Sequence, residues 1–369
     1  MNKTSDKLEE KPKILLLGDI NSSHLKKWIH ALASDYELGV FSFSSINAFS
    51  KNELSGLEVR FFCKEDEESS GKLSYFFQFG KLKSAVRNFE PDIIHAHYAS
   101  SYGFFGARLK RNNFIVSAWG SDIFEFPKKS FLHSTLIKYV LKKATLVMST
   151  SQVMALEMRS YTKKNIVITP FGVSTNLFKP MIRPNNDHFI IGTVKGLEDI
   201  YGIDLLINAF KLFHMKYPNS QCHIYGKGSQ KSNYVKLVET LGLGSSVKFM
   251  GYLKHESVPK ALTSFDVFCA LSRAESFGVA VLEASSCGLP VIVNDISGLK
   301  EVVVNSETGF TVDAYKTEQV VEKLVYLAQN KDESLQMGRK GREWVMNNYR
   351  WRESVKIMKA EYDKLISEK

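Results

Sequence analysis

A doubly wound α/β fold in two domains is predicted by three features: a length of 369 residues, short apolar runs alternating with amphipathic stretches from end to end, and a proline-containing polar break near the middle. At roughly 100–200 residues per domain, the length gives two domains or three. Apolar runs too short for helices, separated by stretches of helical periodicity, read as parallel strands joined by crossover helices. The first series of strands is expected at 13–17, 38–43, 59–62, 92–95, 114–117, 146–149 and 166–169, with helices at 25–33, 73–89 and 131–141. The break at 178–187 carries Pro180, Pro184 and an Asn-Asn-Asp run, which suits an interdomain linker. The second series is expected at 189–194, 222–225, 247–250, 267–270, 291–294 and 310–312, with helices at 203–214, 235–241, 258–262 and 279–286. From about Thr317 the chain reads as helical throughout. The domains are therefore expected at 1–178 and 179–369, with a last helix at about 351–367 able to pack back on the first domain. Two facing Rossmann-like domains leave a cleft at the carboxyl ends of their strands, and that cleft is the expected site.

Hydrophobic content of 44% with 24% charged residues excludes a mostly disordered chain. The net charge of +10 points to an anionic partner. It is unevenly spread: residues 108–164 alone carry +8. Within them, 131–143 reads as an aromatic, apolar helix edged with lysines, suited either to an anionic membrane surface or to core packing with a solvated Lys edge. No nucleic-acid-binding motif accompanies the charge, so no nucleic acid partner is expected. Cys63, Cys222, Cys269 and Cys287 lie far apart and fit reduced thiols rather than disulfides or a zinc site. The apolar run at 14–17 is too short for a signal peptide, and nothing approaches 18 continuous apolar residues. A cytoplasmic protein is expected, peripheral at most on the inner face of the membrane.

The most informative stretch is Glu275-Ser-Phe-Gly-Val-Ala-Val-Leu-Glu283, which follows an expected strand and opens an expected helix. Glu275 sits just before the helix and Glu283 about two turns in. Two carboxylates so spaced can each accept two hydroxyl hydrogen bonds, as vicinal diols require. The free N–H groups at Gly278 and the helix start suit a phosphate. The bland alternative is that Glu275 caps the helix and Glu283 is a solvated charge.

With these residues the sequence resembles the family 4 retaining glycosyltransferases, also called glycosyl transferases group 1. Glu275 and Glu283 match the family's E-x7-E motif, and the match runs on through 283–292, 297–303 and Thr308-Gly309-Phe310. The resemblance implies the GT-B fold, two facing Rossmann-like domains. It also implies that Glu275 holds hydroxyls of the donor sugar, that Glu283 holds the ribose diol, and that the backbone of Phe277, Gly278 and Val279 lies near the diphosphate. The family usually places an Arg and a Lys after the first strand of the second domain. Here Lys195 fits the first cation, and Tyr201 falls where the Lys is normally found. Lys227, in Gly226-Lys227-Gly228, is a substitute for the second cation or a solvated strand-end lysine; Tyr201 is a possible hydrogen-bond donor in its place.

The first domain departs further from the pattern. Where the family often has His-Gly near the reacting sugar, this chain has Trp119-Gly120. Trp is neither acid nor base, so Trp119 either stacks on a sugar or packs the cleft. Asp122 is a candidate for orienting an acceptor hydroxyl, or a helix N-cap. His95 and His97 share one strand face, one of them expected in the core and His97 the better cleft candidate. His24, in the loop after the first strand, faces the expected diphosphate or is a first-turn helix residue. Gly18 precedes that loop and admits close backbone approach, although no G-x-G-x-x-G is present. No D-x-D occurs, and the acidic run at 65–68 reads as a solvated turn.

The expectation is a metal-independent enzyme without a cofactor. Lys195 and helix N-termini do the work of a divalent ion on the leaving diphosphate. Retention, which the resemblance implies, would without an evident carboxylate nucleophile mean attack from the leaving-group face. The expected reaction moves a hexose from a UDP- or GDP-linked sugar to a hydroxyl of a lipid-linked glycan, as in capsule, O-antigen or lipopolysaccharide assembly. A transferase for a small soluble acceptor and a non-catalytic two-domain sugar-binding protein are the alternatives.

Overall fold

The computed structural model describes residues 10–63, 74–183 and 187–368. The chain divides into two compact units, one holding the residues up to Thr169 and those from Val355 onward, the other Pro170–Ser354. The division falls at Thr169 rather than at 178 because the backbone of Val173 exchanges hydrogen bonds with Tyr349 and Trp351, both of the second unit. The acidic run at 65–68 and residues 184–186 of the expected linker lie outside the described residues.

The first unit is built on seven parallel strands, β1 (Lys13–Leu17), β2 (Glu37–Phe41), β3 (Val59–Phe62), β4 (Ile93–His97), β5 (Phe114–Ala118), β6 (Leu146–Ser149) and β7 (Ile166–Ile168). Their order is β3-β2-β1-β4-β5-β6-β7. Crossovers on both faces bury the central strands completely, which is why β4 and β5 read as unbroken buried runs. The order reverses between β1 and β4, paired from Ile14↔Ile93 to Leu17↔Ala96. Their carboxyl ends put Gly18 and His97 side by side. From the last helix, Trp351–Ser367, Tyr362 is fully buried in this unit, its hydroxyl 2.6 Å from His95 Nδ1.

Six parallel strands form the second unit's sheet: β8 (Phe189–Val194), β9 (Ser220–Tyr225), β10 (Val247–Gly251), β11 (Val267–Ala270), β12 (Val291–Asn294) and β13 (Gly309–Val312). They lie in the order β10-β9-β8-β11-β12-β13. Helix Ile203–Lys216 packs Leu206, Ile207 and Phe210 into a core shared with Cys222 and Ile224 of β9. The switch point lies between β8 and β11, so Lys195, one residue past β8, emerges beside the loop that follows β11. Both sheets thus present a switch point at their carboxyl ends, where open α/β sheets bind ligands.

Among the described residues no helix is long and apolar enough to cross a membrane. Helix Phe131–Lys143 buries Ile137, Val140 and Leu141, while Phe131 is 82% and Leu132 76% exposed. The helix thus packs one face into the core and leaves an apolar N-terminal end exposed.

Candidate active site

In the second unit, β11 ends at Ala270 and the chain turns through 271–278 before entering helix Val279–Ser286. Gly278 forms the helix N-cap at φ 73°, a left-handed conformation that a side chain would strain. A Cβ there would also lie 2.9 Å from Leu299 Cδ2. The turn carries Glu275 to Lys195, whose Nζ donates to Glu275 Oε1 at 2.5 Å. Ser272 Oγ donates to the other carboxylate oxygen at 2.9 Å. The Ser272 carbonyl in turn accepts from Asn294 Nδ2 at 2.9 Å, and Asn294 Oδ1 accepts from the Ala314 N–H at 3.0 Å. Glu275 therefore does not cap the helix. It is held by a cation and a hydroxyl, with side chains only 7% (Lys195) and 14% (Glu275) exposed.

Glu283 is not a solvated charge: its side chain is 12% exposed and its Oε1 lies 2.7 Å from His255 Nε2. The His255 ring packs against Phe178, with centroids 5.1 Å apart. Tyr201 stands beside Lys195, the ammonium 5.4 Å from its ring centroid. The Lys227 carbonyl accepts from the Leu197 N–H at 3.0 Å, so the 226–228 loop braces the loop after β8. The Lys227 ammonium lies over the Tyr252 ring, 4.7 Å from its centroid. The Phe277 side chain is buried between Phe171 and Tyr349, which leaves its backbone as the part able to meet a ligand.

In the first unit, a Cβ on Gly18 would come within 3.4 Å of His97 Cβ, so β1 and β4 pack closely where they end. His97 is 1% exposed, and neither ring nitrogen has a hydrogen-bond partner among the described residues. Burial alone pushes its pKa down to about 3, so the ring is neutral at physiological pH. His95 is the core histidine, bonded at one nitrogen to Tyr362 and at the other to Ser117 Oγ (2.7 Å). Burial, and secondarily the neighbouring His97, hold its pKa well below the usual imidazole range. Trp119 lies against His97 with ring centroids 5.1 Å apart and against His24 with centroids 5.9 Å apart. His24 is thus both a first-turn helix residue and a neighbour of Trp119.

Asp122, a candidate for orienting an acceptor hydroxyl, is instead fully buried. Its carboxylate accepts from the N–H groups of Ala99 (2.7 Å), Gly120 (2.8 Å) and Trp119 (3.1 Å). It ties the loop after β4 to the loop after β5. Burial raises its pKa, and these backbone donors pull it back. Among the described residues no cluster of three or more His, Cys, Asp or Glu could hold a metal.

Ser272, Asn294 and His255 carry no motif of their own. Only Ser272 had a local signal, the Ser-x-x-Glu spacing to Glu275. The other two reach the site through tertiary packing.

With this geometry in hand, comparison with known proteins is consistent on both halves. Residues 175–344 match the family model of glycosyl transferases group 1, and residues 13–151 match that of glycosyl transferase 4-like proteins. N-acetyl-alpha-D-glucosaminyl L-malate synthase of Bacillus anthracis is 23% identical over 288 residues, covering 73% of this chain and 74% of that one. GDP-mannose-dependent alpha-(1-6)-phosphatidylinositol monomannoside mannosyltransferase of Mycobacterium tuberculosis is 30% identical over 157 residues, 41% of each chain. The crystal structure of Anabaena HepE in complex with UDP and glucose superposes with a TM-score of 0.80 at 18% identity, over 95% of this chain and 99% of that one.

Proposed function

This chain belongs to the group 1 glycosyltransferases, with the GT-B fold, and from that premise we propose that it moves a hexose from a nucleotide-sugar to a hydroxyl of a lipid-linked glycan, with retention and without a metal. The observation that carries the reading is the Lys195–Glu275–Ser272 group at the switch point of β8 and β11. A carboxylate fixed there by two donors is set to receive sugar hydroxyls, and the ammonium bonded to it stands where a leaving diphosphate gains charge. Glu283 is read as the ribose ligand, with His255 exchanged for the diol when the donor binds. The N–H groups at Gly278 and Val279 are read as the diphosphate cradle. Retention is read as attack from the leaving-group face, the departing phosphate taking the acceptor proton. The first unit is read as the acceptor side, with His24, His97 and Trp119 lining it and Asp122 positioning its loops, while Gly18 is read as admitting close approach of the donor.

A lipid-borne acceptor is favoured by the +8 charge of residues 108–164 beside exposed Phe131 and Leu132. That one partial relative is named for a phosphatidylinositol mannoside acceptor supports the same reading. The test begins with thermal stabilisation by a panel of UDP- and GDP-sugars, followed by transfer assays on lipid-linked and soluble acceptors. Glu275→Ala is expected to abolish transfer, and full turnover in that variant would reject the assignment. Turnover is expected to survive thorough chelation; its loss, restored by a divalent ion, would reject the metal-free chemistry.

A further inference from the structure

Beyond the donor and acceptor residues above, the first unit holds a cavity of about 310 Å³ between helices Ser74–Phe89 and Tyr102–Arg108 and the 3-10 turn Phe126–Lys129. Its walls are Phe79, Phe104, Phe105 and Phe126. Ser100 and Ser101 contribute to the lining from the loop after β4, three and four residues beyond His97. The cavity therefore opens at the carboxyl end of the sheet, on the ligand-binding edge. Four phenylalanines around a space of this size would suit any apolar chain. The polar groups narrow the choice.

Arg108 also lines the cavity, its guanidinium 4.7 Å from the Phe79 ring centroid and 5.6 Å from that of Phe104. It has no carboxylate or hydrogen-bond partner among the described residues, and neither do the Ser100 and Ser101 hydroxyls. On the same helix as Phe79, the Lys83 ammonium lies over that ring, 4.8 Å from its centroid. A guanidinium close to two ring centroids, with no hydrogen-bond partner among the described residues, has N–H edges available to take an oxyanion in two parallel bonds. Among the described residues nothing acidic lines the space.

We propose that this cavity binds the head-proximal part of a long-chain lipid phosphate, the chain among the four rings and the phosphate on Arg108, with Ser100 or Ser101 donating. That the lipid phosphate belongs to the acceptor rests on the reading given under Proposed function; the ligand class rests on the cavity itself.

Binding of hexyl, octyl and decyl phosphate below their micelle concentrations, followed by calorimetry on the full chain, tests the ligand class. Affinity is expected to rise by roughly fourfold per methylene until the cavity fills. Inorganic phosphate and octyl glucoside are expected to bind at least tenfold more weakly than octyl phosphate. Arg108→Gln is expected to erase the preference for the phosphate head and leave octyl glucoside binding unchanged. Ser100→Trp, which fills the cavity, is expected to abolish both; Phe79→Asp replaces it if that variant's unfolding profile shows it does not fold. An affinity independent of chain length overturns the proposal, as does binding unchanged in the filled variant. So does an interaction confined to anionic vesicles and untouched by Ser100→Trp, which would be a property of the basic surface. Transfer assays separate the two readings. Equal turnover of lipid-linked acceptors by wild type and Ser100→Trp rejects the cavity and leaves the acceptor reading standing. Chain-length-dependent binding with turnover only of soluble acceptors rejects the acceptor reading and leaves the ligand class standing.

Discussion

Glu275 receives two hydrogen bonds of different kinds, and the difference predicts different losses. Lys195 supplies a charge-assisted bond and would stay beside the leaving group, so its removal acts on the transition state. Lys195→Ala is expected to lower kcat by roughly 10²–10³-fold with a smaller change in donor KM, read from initial rates at varied nucleotide-sugar. Among the described residues the Ser272 hydroxyl donates to the carboxylate, and its backbone carbonyl is held by Asn294. It is a positioning residue: Ser272→Ala is expected to cost about tenfold in kcat, and Ser272→Thr, which keeps the hydroxyl, to recover most of it. Equal kinetics in the Ala and Thr variants would remove the positioning role. At this scale the sequence was half legible. Glu275 and Glu283 stand in a motif whose spacing carries the chemistry. His255 and Asn294 lie 28 and 20 positions from the groups they bond, Glu283 and the Ala314 N–H, and nothing in linear order announces such pairs.

At the scale of elements, the site depends on the 271–278 turn lying directly on the short helix Ser297–Lys300. Gly298 makes that approach possible: a Cβ there would stand 2.1 Å from the Glu275 carbonyl oxygen and 2.6 Å from the Ser276 carbonyl carbon. Both obstacles are backbone, so the turn must shift rather than a side chain. Gly298→Ala is accordingly expected to lower turnover at least tenfold, because a misplacement of about 1 Å at a reacting group costs on the order of 10²-fold. Unchanged kinetics, with the variant's fold verified, would show that the turn tolerates the shift. Strands were legible because most of both sheets is buried on both faces, and β1, β8, β11 and β12 start and end where the apolar runs do. Short helices were less so. Tyr102–Arg108 and Gln152–Met158 are too brief to show a period, whereas His95 and His97 lie in β4 as the alternation expects, both buried. The same burial explains Asp122, whose three backbone donors no spacing rule would reveal.

At the scale of the whole molecule, the buried histidine pair couples stability to pH. His95 and His97 lie with ring centroids 4.1 Å apart, both neutral in the fold and both titrating near 6.5 once unfolded. A base whose folded pKa is lowered gives stability that is complete above the unfolded pKa. As pH falls through 6.5, the unfolded chain takes up protons that the fold refuses, and stability declines until the folded pKa is reached. For His97, with a folded value of about 3, the decline between pH 7 and pH 5 is about 2 kcal/mol. His97 has no hydrogen-bond partner to lose among the described residues, so His97→Leu is expected to leave Tm at pH 7 within a few degrees of wild type. At pH 5 the variant is expected to be the more stable protein, since one of the two proton-linked costs is gone. Scanning calorimetry of both proteins from pH 5 to 8 checks this, and parallel Tm curves across that range would show that His97 titrates alike in both states. Turnover measured on the same variant, where its stability is unimpaired, separates a packing role for His97 from one at the acceptor.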